Sequence, residues 1–437
     1  MTLNQRTLHI GLVVLFLLLA LSFAAPVEAG SSSGGPNAPD EVLVSLVNGA
    51  DAAAIARSVG AQATHQTRLG VWIFMVPAGT ADLVAATLRT NPQVIYAEPN
   101  GVVSVFADPN DPHDNTTCYS SSKAGCIMQW SWAKIQAYQG WDIHKGSATV
   151  KIAVVDTGID NSHPDLPTMT SQKNFIVPSN PAAEDDNGHG THLAGTIGAL
   201  TNNGEGVAGM DWSVSLRSVK VLHNTGYGSI STLADGITWA ADNGAKVINI
   251  SLGSTTASTT LANAVTYAWN HGAVLVCAAG NNGNTKFTYP AYYANCIAVA
   301  ATDSKDAKAS TSTTGTWVDV AAPGVNILST MPNTTVYLNT TGAYKTTYDA
   351  MSGTSMAAAH VSGLAGLIWA SGKCSTNTCV RYLIENNADA ISGTGKSWAK
   401  GRINAYRSLS ATSTQPTPTR TPTPTKTPAP TRTPRPR

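Results

Sequence analysis

The sequence predicts an α/β protein built in three layers, a parallel β-sheet between two sets of helices, with a small α+β unit ahead of it. Three observations carry this. From residue 151 onward the strand-like runs are continuously apolar and not alternating, as expected of strands covered on both faces. Helix-like stretches separate those runs, the pattern of a parallel sheet with crossovers. Finally, Asp156, Ser251 and Asn281 fall at the carboxyl ends of such runs, where open α/β sheets gather their working groups.

The elements follow in chain order. Arg6 and His9 precede an apolar run over 10–25, with small residues at Val27 and Ala29, so residues 1–29 read as a secretory signal cut after Ala29. That run is short for a bilayer span, so the chain is expected to be exported, with no stable membrane insertion once the signal is gone. A spacer, Ser31-Ser32-Ser33-Gly34-Gly35-Pro36, comes next. Over 41–105 the pattern predicts strand (42–47), helix (52–59), strand (71–76), helix (81–89) and strand (94–97). In the larger part, strands are expected at 151–155, 214–221, 247–251, 274–278, 297–300 and 317–321. Helices are expected at 189–199, 229–243, 259–271, 355–370 and 380–387. From residue 411 to 437 the chain turns into Pro/Thr repeats with no large apolar residue to bury, an extended and solvated tail that we read as a spacer toward the cell surface.

Composition narrows the partners. Charged residues make up 12% of the 437 and the net charge is +1, which leaves no electrostatic case for nucleic acid. The six cysteines suit an oxidising destination. Closeness in sequence pairs Cys118 with Cys126 and Cys374 with Cys379; Cys277 and Cys296, each in an apolar strand-like run, are left as a cross-strand bridge or two buried thiols. No Cys-x-x-Cys occurs, so none has metal spacing.

Three stretches carry the chemistry: Val154-Val155-Asp156-Thr157-Gly158, Asn187-Gly188-His189-Gly190-Thr191-His192, and Gly353-Thr354-Ser355-Met356-Ala357. Ser355 opens a run of small apolar residues that suits a buried helix, so free backbone N–H groups and the positive end of a dipole lie beside its hydroxyl. A serine hydroxyl hardly ionises at neutral pH and needs a base; a histidine held by a carboxylate provides one. No Gly-x-Ser-x-Gly elbow is present, against an α/β-hydrolase. In this wording and in the order Asp, His, Ser, the chain resembles the subtilisin-like serine proteases, most of all their thermitase branch.

The resemblance implies a catalytic triad of Asp156, His189 and Ser355, with His192 structural. It implies an oxyanion hole from the Asn281 side chain and the Ser355 backbone N–H. Substrate would lie as an added strand along Ser251, Leu252 and Gly253 and along the Gly226-Tyr227-Gly228-Ser229 segment. Ala278 to Gly280, with Thr288 at the floor, would outline the pocket for the residue before the cut bond, and Ile230 with Leu252 a second apolar pocket. All are uncharged, which predicts preference for apolar or aromatic residues. Structural Ca2+ is implied at Asp111, Asp165, Asn203 and the carbonyls of Leu200, Glu205 and Val207; Glu184-Asp185-Asp186 reads as a solvated acidic turn. The wording Asn91-Pro92-Gln93-Val94-Ile95-Tyr96-Ala97-Glu98-Pro99-Asn100 resembles the family's inhibitory propeptide. The implied organisation is therefore propeptide 30–106, peptidase 107–410 and tail 411–437. The partners implied are protein or peptide substrates and the chain's own propeptide, on a monomer. The competing reading is a catalytically silent surface protein that keeps only the scaffold. Two departures stand out: Ala359 replaces the family's usual proline before His360, and the loop between Met331 and Asp349 is longer than usual.

Overall fold

The computed structural model describes residues 40–67, 70–100, 109–115 and 117–412. The expected signal, the spacer, the propeptide cut near residue 106 and the tail beyond Thr412 lie outside the described residues. The chain divides into two compact units, 1–105 and 106–437.

In the first unit, β1 (Glu41–Leu46), α1 (Ala52–Ser58), β2 (Gln62–Gln66), β3 (Trp72–Met75), α2 (Ala81–Leu88) and β4 (Val94–Pro99) follow in order. The four strands form an antiparallel sheet in the order β2-β3-β1-β4. Alternation along β1 sends Val42 and Val44 into a core shared with Ile55, Phe74, Val84 and Leu88. Asp51 caps α1, its Oδ1 accepting from the N–H groups of Ala53 and Ala54 at 3.0 and 3.1 Å. The pattern of the sequence misses β2, Gln-Ala-Thr-His-Gln, because this edge strand buries almost nothing.

The second unit begins with α3 (Pro112–Asn115), the hairpin β5 (Tyr119–Ser121) and β6 (Gly125–Ile127), α4 (Ser131–Lys134) and α5 (Ala137–Ile143). The alternating part runs β7 (Lys151–Asp156), β8 (Gln172–Asn174), α6 (His189–Gly198), β9 (Ser215–Lys220), α7 (Ile230–Asp242), β10 (Val247–Ile250), α8 (Thr259–Asn270), β11 (Val274–Ala278), β12 (Cys296–Thr302) and β13 (Val320–Pro323). A second hairpin, β14 (Ile327–Thr330) and β15 (Tyr348–Met351), encloses α9 (Tyr337–Gly342), and α10 (Thr354–Ala370), α11 (Asn377–Asn386) and α12 (Ala405–Ser410) complete it.

Seven strands pair in parallel in the order β13-β12-β11-β10-β7-β9-β8. Ile152 and Val154 of β7 enter one core with Leu193, Ile197 and Leu364 of α6 and α10. Ala153 and Val155 enter the other with residues of α7 and α8 such as Ile237 and Val265. Both faces are thus covered, which is why the strand runs are apolar throughout. Each fully buried Ile or Leu contributes roughly 1.5–3 kcal/mol. Helix α10 is buried from Thr354 through Ile368, an environment that its alanines and glycines suit. Ala359 sits buried in mid-helix without a break.

Pairing with β12 starts at Val320 and not at Trp317: Val318 N–H bonds back to Gly315 in a turn, so the last strand lies three residues later than its apolar run suggests. Cys118–Cys126 and Cys374–Cys379 are disulfides. Cys277 and Cys296 are buried free thiols; the register sets Cys277 opposite Ala298 and Cys296 opposite Leu275, so the two cysteines are not direct cross-strand partners. Among the described residues no helix is long and apolar enough to cross a membrane.

Candidate active site

Asp156 ends β7 and His189 opens α6. The ring's Nδ1–H donates to Asp156 Oδ1 at 2.7 Å. The same oxygen accepts the Thr157 N–H at 2.8 Å, whereas Oδ2 is buried with no partner. Gly190 makes this approach feasible, because a Cβ there would stand 2.0 Å from the Gly158 carbonyl oxygen. Burial pulls the His189 pKa down, but the charge and hydrogen bond of Asp156 outweigh it and the net shift is upward. With Nδ1 committed to the carboxylate, Nε2 is left to exchange a proton. His192, by contrast, is fully buried with Nε2 at 2.9 Å from the Ile327 carbonyl, and burial pushes its pKa down to about 3.

Ser355 is the second residue of α10. Its Oγ–H donates to the Ser251 carbonyl at 3.1 Å, and Ser251 Oγ–H donates in return to the Ser355 carbonyl. Among the described residues no hydrogen bond joins Ser355 to His189. Their helices nevertheless run side by side. A Cβ at Gly363 would meet the Ile197 carbonyl oxygen at 3.0 Å, each eight residues on from Ser355 and His189, and further along Gly198 and Gly366 both abut Asp211. Equal travel from a shared flank brings the two first turns to the same end.

Asn281 follows β11. Its Oδ1 accepts from Thr354 N–H at 2.9 Å and Thr354 Oγ1 at 3.1 Å, which fixes the amide and leaves Nδ2 as a free donor. The Ser355 N–H belongs to a first turn with no intrahelical acceptor. Both border a cavity of about 200 Å³ lined also by Ser251, Leu252, Gly253, Ala278, Gly280 and Thr288. No lining residue carries a charge. Gly228 and Ile230 stand apart from this cavity, at the start of α7, where Ile230 packs on the same core as Leu252.

The acidic turn differs from expectation. Asp185 is buried and not solvated: it accepts from Thr157 Oγ1, the N–H groups of Asn187, Gly188 and Thr191, and Thr191 Oγ1, at 2.7–3.0 Å. It therefore caps the helix that His189 opens. No capping pattern in the sequence announces this, because Gly188 and not Asp185 holds the N-cap position. Asp186 pairs instead with Lys220 at 2.6 Å.

Asp111 and Asp165 are both fully buried. Asp111 accepts the N–H groups of Asn202 and Asn203 at 2.8 and 3.2 Å, and Asp165 accepts the Val207 N–H and the Asn203 amide, both at 2.9 Å. Burial raises both pKa values, Asp165 to about 7 with the charge of Asp111 adding to it. Neither forms an ion pair among the described residues, so both carboxylates are buried with only N–H, amide and hydroxyl donors beside them. Among those residues no group of three or more His, Cys, Asp or Glu could hold a metal. A cation here would take its other ligands from neutral oxygens of the loop that carries Leu200, Asn203, Glu205 and Val207. Asn203 Oδ1 now accepts the Glu205 N–H, so it would have to turn its amide end for end.

Residues 147–418 match the Subtilase family (Peptidase_S8), and residues 23–100 match the Fervidolysin N-terminal prodomain. The chain is 50% identical over 301 residues to thermitase of Thermoactinomyces vulgaris, covering 69% of this chain and 99% of thermitase. It is 40% identical over 421 residues to the thermophilic serine proteinase of Bacillus sp. strain AK1, covering 92% and 99%. A solved protease structure from Pseudoalteromonas arctica PAMC 21717 superposes with a TM-score of 0.59 at 29% identity, over 69% of this chain and 99% of that one. The chain is a serine protease of the subtilase family, preceded by a prodomain.

Proposed function

We propose that the protein is a secreted endopeptidase that cuts peptide bonds through Asp156, His189 and Ser355. The observation that carries the reading is the 2.7 Å bond from His189 to Asp156, on a helix that packs against the Ser355 helix at a point eight residues beyond each of the two side chains. Rotation about the Ser355 Cα–Cβ bond takes its Oγ from the Ser251 carbonyl toward His189 Nε2. Oγ then attacks the substrate carbonyl as Nε2 takes the proton, and Asp156 stabilises the resulting imidazolium. Negative charge on the substrate oxygen meets Asn281 Nδ2 and the Ser355 N–H. In this family such a side-chain donor is worth about 3–4 kcal/mol in the transition state. The proton passes to the leaving amine, and water repeats the sequence on the acyl-enzyme.

The uncharged cavity suits an apolar or aromatic residue before the cut bond. Digestion of a peptide library should yield cuts after such residues and stop after treatment with a serine-directed sulfonyl fluoride. Strict cleavage after Lys or Arg, or activity untouched by the reagent, would overturn this.

In the same reading the prodomain keeps the enzyme inactive until it is cut near residue 106, residues 1–29 direct export, and residues 411–437 act as a spacer. Asp111, Asp165, Asn203 and the carbonyls of Leu200, Glu205 and Val207 would hold Ca2+, which would neutralise the two buried carboxylates. At 100 times its dissociation constant, such an ion stabilises the fold by about 2.7 kcal/mol. A chelator should therefore lower the melting temperature by several degrees, with added Ca2+ restoring it, and Asp165→Asn should abolish the response. A melting temperature indifferent to chelation would sink the assignment.

A further inference from the structure

The segment from Met331 to Thr347 lies over the turn that leads into His189. The N–H groups of Tyr337 and Leu338 donate to the carbonyls of Asp186 and Asn187 at 3.2 and 3.0 Å. Between them and the histidine is Gly188, whose φ of +114° leaves a bare face where other residues carry a Cβ. Three apolar side chains pack on that face: Met331 Cε, Val336 Cγ2 and Leu338 Cδ1 lie 3.0, 3.4 and 3.6 Å from where a Cβ would be. The same segment grips the loop after Asp156. Asn333 N–H donates to Asp160 Oδ2 at 2.9 Å, and the Thr347 carbonyl accepts from His163 Nε2 at 2.9 Å. It then passes through β15 into Gly353 and Ser355. One segment is thus bonded to the backbone before His189 and to side chains of the loop after Asp156, and it leads along the chain to Ser355.

We propose that this insertion is a brace for the catalytic machinery and that Leu338, through its contact with Gly188, is a positioning residue for His189. The inference rests on the reading of His189 as the general base. Asp185 holds the turn at Asn187 and Gly188 from within, and the insertion presses on it from outside, so the ring's first-turn position is set from two sides. Catalysis needs that precision, because a shift on the order of 1 Å at a reacting group can cost about a hundredfold in rate. The charged groups that act on the His189 ring are Asp156 and Asp185, with His192 coupled to it from the same helix. Met331, Val336 and Leu338 do not titrate, so any change of pH profile on altering them arises from movement of the ring.

The test compares Leu338→Ala, Val336→Ala and the conservative Leu338→Met with wild type, each expressed as the full chain and matured, and with His189→Ala, which is expressed in the same way and compared per mole of protein. Activity is counted per active site by titration with a serine-directed reagent. Leu338→Ala is expected to lower kcat about tenfold or more while KM stays within about twofold. Its acid limb should move to lower pH as the ring loosens from Asp156. Val336→Ala should act in the same sense, and Leu338→Met should restore both rate and limb. If His189→Ala abolishes activity but the alanine variants keep the wild-type kcat and acid limb, with only the melting temperature lowered, the brace is overturned and the general base stands. A His189→Ala enzyme as fast as wild type would overturn both.

Discussion

Ser355→Ala is expected to remove proteolysis and to leave the chain at its precursor mass. In the proposed mechanism the Ser355 hydroxyl forms the acyl bond, and the neighbouring Thr354 hydroxyl cannot take its place. Thr354 has Oγ1 and N–H already engaged with Asn281. Loss of the nucleophile in this family costs on the order of 10⁶ in kcat. If the prodomain is cut by the enzyme that it precedes, wild type should appear at the smaller mass and Ser355→Ala at the larger. Mass spectrometry of the two purified proteins reads the outcome. A processed, active alanine variant would mean that the nucleophile lies elsewhere.

Asp156→Asn should come second in size, about 10⁴-fold in kcat, the loss seen when the aspartate of such a triad becomes asparagine. The geometry says which part of the loss is electrostatic. Oδ1 takes both hydrogen bonds, from Thr157 and His189, while Oδ2 is buried alone. An asparagine can keep its oxygen at the first position, with the nitrogen in the second facing no acceptor. The bond to the ring can therefore survive while the negative charge does not. Burial, which lowers the His189 pKa, then acts with less opposition, and the value falls. Because a base must be neutral to accept a proton, the acid limb of kcat/KM should move to lower pH even as the plateau drops. An unchanged limb in this variant would show that Asp156 does not set the histidine's proton affinity.

What could be read from the sequence follows burial and local chemistry. The parallel sheet was legible because covering both faces makes Ile152, Ala153, Val154 and Val155 apolar in succession. The candidate triad could be named from three runs of wording, and the close packing of Gly190 on Gly158 shows why one of those runs has little freedom in residue type. Edge strand β2 was not legible, because a strand exposed on most of its residues needs no apolar pattern. Neither was the late start of β13, where Trp317 and Val318 are apolar but turn away from the ladder. Asp185 looked like one more surface acid; only the folded chain brings Thr157 and Thr191 to it. The hydrogen bond of Ser355 to Ser251 joins positions over a hundred residues apart, and no local pattern announces it. The segment before β15 is rich in Thr, Asn and Tyr, a composition equally suited to a loose surface loop.

Asp156, His189, Asn281 and Ser355 belong to separate stretches, two at strand ends and two at the starts of helices that share one face of the sheet, so the proposed site needs that sheet and helical layer intact. A copy that opens locally loses its ability to cut at the same moment that its backbone becomes extended enough to be cut. Folded neighbours would digest it. Such a population discards its own damaged members, and what survives is the fraction whose unfolding is slow.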